Sequence, residues 1–326
     1  MAQDNNRSAP LNRIKKPGVS MALYAHTSLK GLVSEAQQAR SRVAVKNHAH
    51  IVDVLIAERA IGLASHWSWP IIRPMLYKLL GHKRAVTMSD IVADMSGPEA
   101  MSFVSTMLDL RLDITGLDRI PRQGPFILAA NHPTGIADGV AVYDLVKARR
   151  PDIAIFTNRD AVRVARRFDE VLIPVEWRED HKNREKTKET LVRTAEAFDD
   201  GKAVVLFPSG RIAYWDDDQL NERPWQATLV TLARRYKVPI VPVHVRSRNS
   251  GLFYLFSRIS NELRDMTVFY ELLNKSGTGF GLSVGKPIPH ESLIGDANQL
   301  TTDLQTHTVT ALAQNRNAVF ESSANA

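Results

Sequence analysis

The sequence predicts an α/β fold, a mostly parallel central sheet with helices on both faces, behind a helical N-terminal segment. Three observations predict it. Five short apolar runs, at 126–130, 153–157, 171–175, 203–207 and 240–245, read as strands buried on both faces. Helix-period segments lie between them, at about residues 140–149, 160–167, 185–199 and 224–236. The first run ends in a polar turn holding Pro133 and Gly135, which completes a strand–loop–helix unit of the kind such sheets are built from.

Composition bounds the rest. At 326 residues with 44% hydrophobic content, the chain has room for one large domain with an appended segment. There is no cysteine, which excludes a thiol nucleophile, a cysteine-ligated zinc and a disulfide framework, and fits a cytoplasmic setting. The net charge of +7 favours anionic partners: nucleic acid, an anionic membrane surface, phosphate-bearing substrates or acidic carrier proteins. Lys and Arg are spread along the chain without a recognised nucleic-acid motif, so no nucleic-acid partner is expected. No window offers the ~18 consecutive apolar residues of a spanning helix, and the polar start, Met1 to Lys16, is not a secretory signal.

In chain order, residues 1–20 read as a flexible basic arm and 21–110 as a helical segment. Within the latter, the pattern from Ser28 to about Ala64 is helical, and so is that from Ser89 to Leu110. Between them, from His66 to Arg84, Trp67, Trp69 and Tyr77 stand beside Arg73, Lys78, Lys83 and Arg84. Amphipathic rings flanked by cations suit a membrane interface. The alternative is a helix packed on the main domain, with Pro70 and Pro74 marking turns. Residues 111–290 hold the α/β domain, entered by a strand from Leu112 and closed by one at Gly281 to Gly285. Residues 291–326 read as a surface helix, Leu300 to Phe320, with a polar tail.

Chemistry concentrates at the ends of two strands, where open α/β sheets bind ligands. His132 opens the loop after the first run and Asp138 closes it, with five residues between. If the loop folds back, Asp138 orients the imidazole and leaves the other ring nitrogen to accept a proton. The plainer reading makes Asp138 a helix cap and His132 an ordinary loop residue. The second loop, after the run at 203–207, contains Ser209, Gly210 and Arg211; its amides and guanidinium could meet an oxyanion or phosphate, or the segment could be a plain turn. No metal-ligand spacing appears. Ser209 lacks the first glycine of a nucleophile elbow, which disfavours a serine hydrolase.

Three ordered blocks, Asn131-His132 with Asp138, Phe207-Pro-Ser-Gly210 and Val238-Pro-Ile-Val-Pro242, resemble those of the lysophospholipid/glycerolipid acyltransferase (PlsC-like) family over about residues 110–290. The resemblance is nearest to the hemolysin-like and ornithine-lipid O-acyltransferase branch, which similarly has five residues between His and Asp, a segment like Arg248-Asn-Ser250 and a block like Glu271-Leu-Leu-Asn-Lys275. Two departures stand out. The main family spaces His and Asp by four, and its Phe-Pro-Glu-Gly-Thr-Arg block reads Phe-Pro-Ser-Gly-Arg-Ile here, without the glutamate. The family's strand ending in an arginine is echoed only by Val171 to Val175 with Arg178 beyond.

The resemblance implies an O-acyltransferase that moves a fatty acyl chain from acyl-CoA or acyl-carrier protein to the hydroxyl of a lysolipid, without a cofactor or metal. It implies His132 and Asp138 as catalytic residues and Asn131, Arg159, Arg178, Ser209, Gly210 and Arg211 as substrate-binding ones. The expected setting is the cytoplasmic face of the inner membrane, bound peripherally to an anionic surface. The alternative is a lipid-binding or scaffolding protein that keeps the fold without the chemistry.

Overall fold

The computed structural model describes residues 12–13, 49–176 and 183–323. The basic arm, apart from residues 12–13, the first part of the helical segment and Arg178 lie outside the described residues.

Eight strands form the main sheet: β1 (Asn12–Arg13), β2 (Arg111–Thr115), β3 (Phe126–Ala130), β4 (Ile153–Asn158), β5 (Leu172–Val175), β6 (Ala203–Leu206), β9 (Ile240–Arg246) and β10 (Gly279–Val284). A separate two-stranded ribbon, β7 (Tyr214–Asp216) and β8 (Gln219–Asn221), hangs on the loop after β6. The order is β1-β2-β10-β9-β3-β6-β4-β5. Only the β1–β2 and β10–β9 pairs are antiparallel; β3 pairs in parallel with β6 and β9 on its two sides. The predicted mostly parallel sheet is therefore present, and the apolar runs match its central strands to within a residue or two.

Every residue of β3 and β6 is buried, because helices cover both faces. Alternation divides the side chains between two cores. Phe126, Leu128, Ala130, Val205, Val241 and Val243 face helices from 51–108, 136–147 and 251–273. Ile127, Ala129, Val204, Leu206 and Ile240 face the helices Arg184–Asp199, Thr228–Tyr236 and Ala297–Thr306. Burying one such side chain contributes about 1.5–3 kcal/mol, so a central strand tolerates no polar interruption before its end.

Several predicted elements change in detail. The helix expected from Ser89 to Leu110 is two, His82–Val92 and Gly97–Leu108. Ser96 restarts the chain by accepting from Glu99 N, while Glu99 returns a bond to Ser96 N at 2.9 Å, a reciprocal cap with Pro98 in the first turn. Pro70 and Pro74 do not make turns: Pro70 lies in the first turn of the helix Trp69–Leu79 and Pro74 within it. The C-terminal helix starts earlier and ends sooner than expected, running from Ala297 to Gln314; Leu300 and Leu304 close the second core while Asn298, Gln299 and Thr302 stay exposed. No helix among the described residues is long and apolar enough to cross a membrane.

Candidate active site

The loops after β3, β6 and β9 emerge side by side at the carboxyl end of the sheet, because the three strands are parallel neighbours. His132 belongs to the first loop. Its Nδ1 lies 3.0 Å from Asp138 Oδ2, and Asp138 is completely buried while the imidazole is 18% exposed. The contact is close but not aligned, so Nδ1 has no well-directed hydrogen-bond partner in this structure.

Asp138 is held by the loop it closes. Its Oδ2 accepts from Thr134 N at 2.7 Å and Gly135 N at 2.9 Å, and its Oδ1 accepts from Thr134 Oγ1 at 2.5 Å. The capping reading is thus realised at the start of the helix Ile136–Lys147, and the same carboxylate lies 3.0 Å from His132 Nδ1. Gly135 makes the reversal possible. Its φ is +88°, and a Cβ there would meet Ile212 Cδ1 at 2.8 Å.

The second loop packs over the first. Ala213 N donates to His132 O at 2.9 Å, and the Phe207 ring lies against the imidazole with centroids 4.3 Å apart. Gly210, at φ +61°, donates its amide to Phe207 O, so this N–H closes a turn and is not free for an oxyanion. Ser209 is buried and its hydroxyl donates to Arg211 O at 2.9 Å. The Arg211 side chain is exposed beside this turn.

Asn131 has a structural occupation. Its Nδ2 donates to Val245 O at 2.9 Å and its Oδ1 accepts from Val245 N at 2.6 Å, which extends the β3–β9 pairing by one buried amide. Both polar atoms are therefore engaged by backbone and not turned to a ligand. Arg159 follows β4, two strands from β3, and pairs with Glu189 at 2.8 Å; its Nε and Nη2 are buried without a partner. The structure brings His132, Asp138, Asn131, Ser209, Gly210 and Arg211 together, and leaves Arg159 apart from them.

A residue that sequence reasoning missed is Glu222, just after the β7–β8 ribbon. Its carboxylate accepts the backbone N–H of His132 at 3.1 Å and the Trp225 indole N–H at 3.3 Å, and lies beside the Ser209 hydroxyl. Burial pushes its pKa up, and the His132, Ser209 and Trp225 contacts pull against that shift. A carboxylate thus returns to the loop from which Ser209 removes the motif glutamate, but from another segment. The ribbon turns on Asp217 and Asp218, both left-handed, in place of the usual glycine, so no strong turn signal marks it in the sequence.

A family model described as Acyltransferase matches residues 111–246, the stretch that contains all three loops' strands and the His132–Asp138 contact. That stretch of the chain is similar to the acyltransferase family. Its similar proteins include the lyso-glycine lipid O-acyltransferase of Phocaeicola vulgatus, 26% identical over 203 residues that cover 60% of this chain and 71% of that protein. The protein of the same name from Bacteroides thetaiotaomicron is 22% identical over 205 residues, covering 61% of this chain and 74% of that one. Among solved structures, the 1-acyl-sn-glycerophosphate (LPA) acyltransferase PlsC of Thermotoga maritima aligns with a TM-score of 0.44 at 13% identity, over 82% of this chain and 98% of that chain.

Proposed function

We propose that this acyltransferase moves a fatty acyl group from acyl-CoA or acyl-carrier protein to the hydroxyl of a lysolipid, either a lysophospholipid or a lyso-amino-acid lipid of the glycine or ornithine type. The observation that carries the proposal is the 3.0 Å approach of His132 Nδ1 to the buried Asp138 at the open end of the sheet, inside the acyltransferase domain. The two lyso-glycine lipid O-acyltransferases among its relatives favour an amino-acid lipid.

Nδ1–H faces Asp138, so Nε2 is the free base. It takes the proton of the acceptor hydroxyl as that oxygen attacks the thioester carbonyl; the C–S bond then breaks and the departing thiolate recovers the proton from the imidazolium. A thioester is already activated, so no acyl-enzyme is required. Asp138 stabilises the imidazolium, and its alignment tightens in the reacting complex, as such contacts do. Arg211 supplies positive charge at the mouth of the site for an anionic substrate group. With Gly210 N engaged by Phe207 O, the Arg211 guanidinium is a donor in this loop for developing negative charge.

The exposed apolar face of the helix Trp69–Leu79 supports peripheral contact with an anionic membrane. Ile71, Met75 and Leu79 are exposed there with Arg73 and Lys78, while Trp69, Leu76 and Tyr77 hold the helix to the core. The packing reading of this segment thus describes its inner face, and the interface reading is proposed for its outer one.

His132→Ala tests the proposal. The variant should fold normally and release no thiol from acyl-CoA in the presence of lysolipid. Near-normal turnover would remove the imidazole from the chemistry, and lipid binding without transfer by the parent protein would favour the scaffolding alternative.

A further inference from the structure

Two segments not used by the chemistry above, Arg248 to Ser250 and Glu271 to Lys275, converge near the His132 loop, and Arg248, Asn249, Ser250, Asn274 and Lys275 from them line a cavity of about 670 Å³. Lys275 at its base belongs to a buried ion pair. Lys275 Nζ donates to Glu271 Oε2 at 2.7 Å and to Asn274 Oδ1 at 2.8 Å, and Glu271 also accepts from Ser250 N at 3.0 Å and from the Ser250 hydroxyl. An ammonium has three hydrogens. The third on Lys275 has no acceptor among the described residues, although the side chain is only 5% exposed.

A continuous chain of hydrogen bonds joins this base to the candidate active site. Asn249, its amide oriented by the acceptors around it, donates to Glu271 Oε2 at 3.0 Å and to Thr134 O at 3.2 Å. Thr134 in turn donates to Asp138 through both its amide and its hydroxyl. The cavity is therefore one residue's width from the carboxylate that faces His132.

The walls carry charge and an apolar side. Arg248 and Arg258 line the cavity, both are exposed, and neither has a carboxylate partner among the described residues. Since Glu271 neutralises Lys275, the two guanidiniums leave the cavity positive. Trp215 and Tyr254, with ring centroids 5.5 Å apart, and the exposed Leu255 supply the apolar side. Leu255 shares its helix with the exposed Ile259, on the helix pair adjacent to Ile61, where Glu262 accepts the Gly62 and Leu63 amides.

We propose that this cavity holds the oxyanionic headgroup of the acceptor lipid. The inference rests on the acyl-transfer reading above and names the part of the acceptor that the protein recognises. In a lysolipid the carboxylate or phosphate is a few bonds from the hydroxyl that must reach His132. In acyl-CoA the nearest phosphate is separated from the thioester by the whole pantetheine arm. A positive cavity next to the imidazole therefore matches the acceptor's anion and not the donor's. Forked guanidiniums bind either oxyanion in two-pronged fashion, with the unused Lys275 hydrogen as a further donor.

The test compares acceptors of one chain length carrying a glycine carboxylate, a phosphate or an uncharged glycine amide, with the parent protein, Arg248→Ala and Arg248→Ala/Arg258→Ala. Both arginines are exposed and unpaired, so the fold should be unaffected. A charge-assisted bond is worth about 1.5–3 kcal/mol, so KM for the anionic acceptor should rise ~10- to 100-fold, with KM for acyl-CoA unchanged and the amide acceptor insensitive to the substitutions. The parent's preference between carboxylate and phosphate identifies the native headgroup, and loss of that preference in the double variant supports the assignment. A rise in KM for acyl-CoA alone, or equal losses for charged and amide acceptors, would overturn it. Calorimetric binding of a short N-acylglycine, which needs no turnover, separates the two readings: binding lost in the double variant but no transfer by the parent would refute the acyl-transfer reading and leave the headgroup site standing.

Discussion

Replacing Asp138 by asparagine separates the two roles that this carboxylate holds at once. Three donors converge on it: two loop amides at 2.7 and 2.9 Å and the Thr134 hydroxyl at 2.5 Å. An amide of the same shape keeps one oxygen for the two N–H groups, and the Thr134 hydroxyl can rotate to accept from the new NH2. The loss is then mainly the difference between charged and neutral acceptors, roughly 0.5–1.5 kcal/mol per bond, or about 1.5–4.5 kcal/mol of stability over the three bonds. Asp138→Ala instead strands two buried N–H groups at about 1–3 kcal/mol each, in addition to the lost hydroxyl bond, out of a typical total of ~5–15 kcal/mol. The rate should respond differently. Without the negative charge the imidazolium loses its counter-ion, and the whole general-base contribution of ~100- to 10,000-fold is at risk, equivalent to about 2.7–5.5 kcal/mol of barrier. Thiol release from acyl-CoA with lysolipid, measured beside urea unfolding, reads both quantities on one sample. An Asp138→Asn protein that loses stability but turns over within about threefold of the parent would show that Asp138 only caps the loop, and the proposed chemistry would fail.

Other expectations follow from particular contacts. Gly135→Ala places a methyl group against Ile212 at a φ of +88°, and should cost about 1–3 kcal/mol in urea unfolding with a matching drop in turnover; an unchanged midpoint would mean that the loop relaxes freely. His244 and His307 are pushed below the usual histidine value by burial. Just below the unfolded value of about 6.5 the unfolded chain therefore binds more protons than the folded one, so stability is complete above that pH and falls as pH drops beneath it. His307→Leu should flatten the urea midpoint between neutral and mildly acidic pH, and profiles parallel to the parent's would refute the assignment. Glu222 acts in the opposite sense: its raised pKa makes the folded state hold the extra proton, so its contribution declines as pH rises through the interval above the ordinary carboxylate range. Ile71→Asp with Met75→Asp, both on exposed positions, should abolish sedimentation with phosphatidylglycerol vesicles without changing the unfolding midpoint; retained sedimentation would place membrane contact elsewhere.

The central strands and the His132–Asp138 pair were legible because they depend on local causes. A strand buried on both faces must be an unbroken apolar run, and a loop that folds back over five residues needs its Pro133 and Gly135 in the chain itself. The break at Ser96 is also encoded locally, in a reciprocal cap that the apolar period obscures. Glu222 illustrates the other case. It meets His132 from 90 residues away, carried there by a ribbon that turns on Asp217 and Asp218.

The sequence by itself determined the layered sheet and the imidazole and carboxylate that approach each other at the carboxyl end of its central strand, since each follows from spacing within one short segment. Only the tertiary structure decided that Asn131 is engaged by Val245, that Gly210 N closes a turn, and that Arg248 and Lys275 share one cavity beside Asp138. The physical reason is that hydrogen bonds and burial between distant segments depend on which strands become neighbours, and β9 reaches β3 through a pairing that no local pattern records.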